Sequence, residues 1–336
     1  MQGHQVEMIA RRRLILALAA GASCLCNNTY GQGAARVFRL GFLATAGAPP
    51  DNKPSKALRD ALQSLGYVEG QNIAYEVRFA EGKPERLSGM AAELVALRVD
   101  VIVAQGGLAT QAAKAATTTV PIVMAQAAGD AVATHLIASL ARPGGNITGL
   151  TDEVAELSAK RMQLLKEAVP GATRIAVIWN ANDEGMTVRY RGIDAAARAL
   201  QIEVDAISVR GPGDFAAAFS TMRGRRPDAI FLVTDALTNA NRKLMIDFAS
   251  AERIPAMYEF ASYVRDGGFM SYGPSQEDGF RQAAGYIDKI FKGAKPADLP
   301  AEQPTRYYLN LNRATAASLG LQLPQTLLLR ADEVIQ

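Results

Sequence analysis

The sequence predicts an α/β protein built as two doubly wound, parallel-sheet lobes joined by a multi-strand hinge. Short apolar runs of strand character alternate with amphipathic stretches of helical length, the order expected of parallel sheets covered by helices. The alternation runs through two successive series. A chain of 336 residues, 49% of them hydrophobic and 21% charged, is long enough for each series to bury its own core. No low-complexity tether separates the series, so several short crossings are expected to join the lobes as a hinge.

In the first series the apolar run Arg39 to Ala44 reads as a strand, Pro54 to Leu65 as a helix, Asn72 to Phe79 as a strand and Pro84 to Leu97 as a helix. Asp100 to Ala104 is a third strand, Ala109 to Thr117 a helix and Val120 to Ala125 a fourth strand. A short helix over Ala131 to Leu140 is expected before the turn Arg142-Pro143-Gly144-Gly145, and Asn146 to Leu150 closes the series. The second opens with a helix over Val154 to Val169, whose apolar positions fall near one face and which Pro170-Gly171 stops. Strands at Arg174–Trp179, Ile202–Val209, Asp228–Val233 and Ile254–Met257 then alternate with helices at Val188–Leu200, Phe215–Met222 and Thr238–Ala251. The run Gly267 to Gly273 and a helix over Gln276 to Phe291 follow. Residues 36–150 with about 275–300 are assigned to lobe 1, 151–274 to lobe 2, and about 301–336 to a segment that crosses the hinge. Crossings are placed near Thr148–Thr151, Ser271–Pro274 and Pro300–Thr305.

The N-terminus reads as a cleaved export signal over residues 1–31. Arg11, Arg12 and Arg13 precede an apolar run, Leu14 to Cys26, of about 13 residues, against the roughly 20 a membrane-spanning helix needs. Gly21-Ala22-Ser23-Cys24 is a poor lipoprotein box, and the consecutive arginines also allow twin-arginine export. Cleavage removes Cys24, Cys26 and His4 and leaves His135 as the one histidine. Thiol nucleophiles, disulfides and Cys/His metal sites then disappear together. No Walker loop, dinucleotide fingerprint or nucleophile elbow is present, so the expectation is no enzyme, no catalytic residue, no metal and no cofactor. A net charge of +3, part of it in the leader, gives no basis for nucleic-acid binding.

In open parallel sheets the ligand sits at the carboxyl ends of the strands. Six such ends carry polar atoms or free backbone N–H groups: Thr45; Gln105, Gly106 and Gly107, running into a helix with Thr110; Gln126 with Asp130; Asn180 and Asn182 in the stretch Asn180 to Asp183; Asp235 after Thr234; and Tyr258 with Glu259. The glycine pair before a helix suits a carboxylate at the positive end of the dipole, or else makes only a tight turn. Glu259 is matched to an ammonium or a sugar hydroxyl, or is a solvated glutamate, and Tyr258 and Tyr272 permit an aromatic solute. Asp130 and Asp235 have the alternative of capping their helices. Trp179 ends a strand whose alternation points it at the core.

Motifs along the chain point to a family. They include Leu65-Gly66-Tyr67-Val68-Glu69-Gly70-Gln71-Asn72, Ala141-Arg142-Pro143-Gly144-Gly145-Asn146-Ile147-Thr148-Gly149, Tyr258-Glu259-Phe260, Gly267 to Gly273, and the ending Arg330-Ala331-Asp332-Glu333-Val334-Ile335. From about Arg39 to Ile335 the chain resembles bacterial ABC-transporter substrate-binding proteins of the tryptophan/tyrosine-uptake type, whose fold is the type I periplasmic binding protein. One departure is Ala131, where the family pattern has Pro after the aspartate. The resemblance implies a periplasmic, monomeric receptor. It would bind a small-molecule solute, an amino acid or an aromatic or carboxylate compound, and deliver it to a permease and through it to a cytoplasmic ATPase. A periplasmic ligand-sensing receptor for a signalling partner is the alternative.

Overall fold

In the computed structural model, which describes residues 36–126, 130–151 and 154–336, the first series forms a five-stranded parallel sheet in the order β2-β1-β3-β4-β5. Its strands are β1 (Phe38–Ala44), β2 (Ile73–Phe79), β3 (Val101–Gln105), β4 (Ile122–Gln126) and β5 (Ile147–Gly149). The leader, with its arginines and Cys24, lies outside the described residues.

The central strands are apolar on both faces because both are covered, as parallel sheets require. One face, Leu40, Phe42, Val101, Val103 and Val123, packs on Leu58 and Leu62 of helix α1 (Lys56–Ser64). The alternate residues Leu43, Ile102, Ala104 and Met124 pack on α2 (Leu87–Ala96) and α3 (Gly107–Ala116).

The second sheet has seven strands in the order β12-β11-β10-β9-β8-β6-β7. They are β6 (Arg174–Asn180), β7 (Glu203–Val209), β8 (Ala229–Leu232), β9 (Ala256–Tyr258), β10 (Met270–Gly273), β11 (Tyr308–Asn312) and β12 (Glu333–Ile335). Ile175, Val177 and Phe231 face α4 (Val154–Ala168) and α5 (Glu184–Ala199), whereas Ala176, Ile178 and Ile230 face α6 (Phe215–Arg225) and α8 (Arg242–Ala251).

The chain passes between the sheets three times: after β5, between β10 and α10 (Gln276–Phe291), and between Glu302 and β11. Helix α10 leaves the second sheet and buries Phe280, Ala283 and Ile287 against the first. At the outer crossings the strands are tied together: Thr151 N–H donates to the Glu302 carbonyl at 3.0 Å, Glu302 N–H to the Gly149 carbonyl at 2.9 Å, and the Thr148 hydroxyl to the Leu299 carbonyl at 2.7 Å. Gly149 is fixed by that close approach, because at φ +119° a β-carbon there would lie 2.4 Å from the Met124 carbonyl oxygen.

Several elements differ from the sequence expectation. Residues 131–140 form turns and no helix. Asp130 Oδ1 accepts from the Val132 and Ala133 amides, and His135 then takes a left-handed conformation, φ +56°, that ends the turn after one revolution. The helix expected over Thr238–Ala251 is two, α7 (Ala236–Ala240) and α8, interrupted at Asn241, whose side-chain Nδ2 donates to the Leu237 carbonyl at 2.9 Å. A further helix, α9 (Ala261–Arg265), carried no periodic signal. The second sheet is not wholly parallel: β11 runs antiparallel to β10. After β10 the chain crosses to the other lobe and returns at the same end of the sheet, so it can only run back along it.

Candidate functional site

Where the two sheets face one another, a cavity of about 600 Å³ lies between their strand ends. Thr45 and Ala46 follow β1 on the first wall, and Gln105 to Leu108 carry the chain from β3 into α3. Gly106 makes that turn at φ +89°, and no side chain caps the helix. The amino end of α3 thus opens on the cavity with its dipole.

The second wall holds Asp183, Thr234, Asp235, Asn239 and Phe260, and Gln276 at the start of α10 lines the hinge side. A second cavity of about 700 Å³ continues past Phe260 and Gln276 to Leu150, Pro274, Pro304 and Tyr308. Its lining is largely apolar, as an organic solute's body requires.

Local chemistry fixes the acidic wall. Asp183 caps α5, its Oδ1 accepting from the Gly185 amide at 2.9 Å and the Met186 amide at 3.4 Å. Asp235 and Thr238 cap α7 reciprocally, Thr238 N–H donating to Asp235 Oδ1 and Asp235 N–H to Thr238 Oγ1. Asn180 sits between the two acids, donating from Nδ2 to Asp235 Oδ2 at 2.6 Å while its Oδ1 accepts from the Asn182 amide. Burial and the neighbouring Asp235 charge push the Asp183 carboxyl up to about 6, against the usual 3.8. Among the described residues, no lysine or arginine lines this cavity.

The structure brings Thr45, Gln105, Gly106, Gly107 and Asp235 together on the cavity. It uses the other proposed residues differently. Thr110 is fully buried and its hydroxyl donates back to the Gly106 carbonyl at 2.9 Å, one turn earlier in the same helix. Asn180 is 2% exposed and serves as the clamp on Asp235; Asn182 turns outward to the Arg210 carbonyl. Asp130 is spent on its turn. Tyr258 stacks on Tyr263 in the core with centroids 4.8 Å apart, over Gly268, where a β-carbon would meet its ring at 2.6 Å. Tyr272 packs against the second-lobe core. Gln126 ends β4, and its side chain lies outside the described residues.

Glu259 meets neither solvent nor cavity. At 2% exposure it pairs with Arg189 at 3.0 Å and Arg161 at 3.2 Å. Burial alone would raise its carboxyl; the two guanidinium groups outweigh that and hold it below the usual range. Arg161 also donates to the Tyr272 carbonyl at 2.5 Å, tying α4 to the end of β10 beside a crossing.

Asp183 and Thr234 stand within the polar strand ends read from the sequence but were not chosen among its site residues, and Phe260 and Gln276 were missed. Asp183, Thr234 and Phe260 each stand one residue from a residue singled out at its strand end and Gln276 four beyond Tyr272, and the shift comes from where the turn aims the chain. Asp183 had a readable signal, an aspartate directly before a helix, but the helix start was placed at Val188 instead of Glu184. Trp179 lies in the core, stacked on Tyr190 at 3.9 Å.

Two α/β lobes, three crossings and an open cleft at facing strand ends define a two-lobed solute-binding protein. The family model described as "ABC transporter substrate binding protein" matches residues 48–335. The chain belongs to that family and has its fold, that of the type I periplasmic binding proteins. It is 25% identical to the tyrosine-binding protein of Clostridioides difficile, over 92% of each chain. Among solved structures it is similar to a conserved domain protein from Vibrio cholerae, at 25% identity, TM-score 0.84, covering 89% of this chain and all of the other. It is also similar to an ABC domain from Streptococcus pneumoniae in complex with L-Trp, at 24% identity and TM-score 0.83, with the same coverage. Family membership favours a transport role over a sensory one. No described helix is long and apolar enough to cross a membrane.

Proposed function

We propose that the protein is the periplasmic, monomeric binding component of an ABC importer, which takes one small organic solute into its inter-lobe cleft without turning it over. It hands that solute to a membrane permease powered by a cytoplasmic ATPase. The observation that carries this is the cavity of about 600 Å³ walled by the strand ends of both sheets, so that one solute contacts both lobes and stabilises their closed arrangement. Thr45, Gln105, Gly106 and Gly107 contribute from the first lobe and Asp235 from the second. An acid group on the solute fits the uncapped start of α3, and its apolar body fits the second cavity beside Phe260 and Tyr308. Relatives named for tyrosine and solved with L-Trp support an amino acid; an aromatic carboxylic acid fits the same two features.

The test is titration of the purified protein, freed of its leader, with amino acids, aromatic acids, sugars and peptides, read by thermal shift and by small-angle scattering. One class is expected to raise the melting temperature and shrink the particle. Silence toward every class would refute the assignment.

A further inference from the structure

We propose that Asp183 selects the solute by a cationic group, seated between Asp183 and Asp235, and that solute binding expels a proton from the cleft. This rests on the importer reading and narrows it from an organic acid to a solute that carries an ammonium.

Asp183 is 3% exposed, and its two backbone hydrogen bonds both fall on Oδ1. Among the described residues none donates to Oδ2, and the side chain lines the cavity. Asp235 is spent differently: capping and the Asn180 amide occupy both of its oxygens and fix its place.

The other charges do not compensate these acids. Those that bear on Asp183 are Asp235 and Glu184, both negative. Arg189, on the same helix, is held under the cleft by Glu259. Arg210, in the neighbouring turn, offers its carbonyl to Asn182. Across the cavity α3 presents uncharged residues and the positive end of its dipole, and α10 presents Gln276. An empty cleft therefore holds two like charges with too few donors, and it relieves them by binding a proton on Asp183. A solute cation does the same work better, because it also supplies a donor for Oδ2. A solute that pairs an ammonium with a carboxylate would satisfy this wall and the α3 terminus together.

The probes are L-tyrosine and L-tryptophan, compared with 3-(4-hydroxyphenyl)propionate and indole-3-propionate, the same molecules without the ammonium. Calorimetry is run from pH 5 to 7.5 in buffers of different ionisation enthalpy. At pH 7.5 at least one amino acid is expected to bind about a hundredfold more tightly than its deaminated counterpart. With the Asp183 carboxyl near 6, affinity should fall about tenfold at pH 5, with about half a proton released per solute at pH 6. Asp183→Asn keeps the helix cap and should abolish both the pH dependence and the proton release. Equal affinity for the deaminated probes, or affinity unchanged across this range, overturns the proposal and leaves the importer reading intact. Silence toward all four probes also overturns it, and only silence across the wider solute panel takes the importer reading with it.

Discussion

Asp183→Asn has a second consequence, measurable without any solute. The carboxyl stands near 6 in the folded chain against an ordinary 3.8, a difference of about two pH units. A carboxyl with a raised folded value binds its proton more tightly in the native state. The native state therefore loses stability as pH rises from about 4 through about 6, and the loss is complete above that. At about 1.4 kcal/mol per pH unit, the ionised group costs about 3 kcal/mol at pH 7.5 and nothing below pH 4. Asparagine keeps the acceptor for the Gly185 and Met186 amides and carries no charge. The variant should match the parent near pH 4 and exceed it by about 3 kcal/mol at pH 7.5. Urea unfolding of both proteins at pH 4, 5, 6 and 7.5 isolates the difference, since every other group titrates alike in the two. A gap that does not vary with pH, or a variant less stable at pH 7.5, would refute the assignment of a strained carboxylate.

Three further outcomes can be measured. Glu259→Gln leaves the buried Arg161 and Arg189 without their counter-charge and should destabilise the fold by about 3 to 5 kcal/mol; an unchanged melting temperature contradicts the buried pairing. Gly149→Ala forces a β-carbon to within 2.4 Å of the Met124 carbonyl at a left-handed position, and should lower stability by about 3 kcal/mol or prevent folding, read by denaturant melts. Thr110→Val removes only a back-bond within α3, so solute affinity should stay within about twofold while stability falls by about 1 kcal/mol; a tenfold loss of affinity would return Thr110 to the site.

The binary pattern by itself determined the two sheets, because strands covered on both faces, such as Val101 to Ala104, must be continuously apolar and helices such as α10 must show one apolar face. It also located the ends of β1, β3 and β8 that line the cavity, since parallel sheets present polar groups where strands stop. Tertiary structure alone decided which side chain at each end reaches the cavity. Glu259 looked free in sequence and is claimed by two arginines that lie 98 and 70 positions earlier in the chain. Asn180 is claimed by Asp235, 55 positions away, and Asp183 takes the place at the cleft. The reversed course of β11 likewise depends on where the chain re-enters after crossing the hinge. Periodicity reports each residue's own element, whereas the partner that buries a charge or leaves it facing the solute is set by contacts between segments that are remote in the chain.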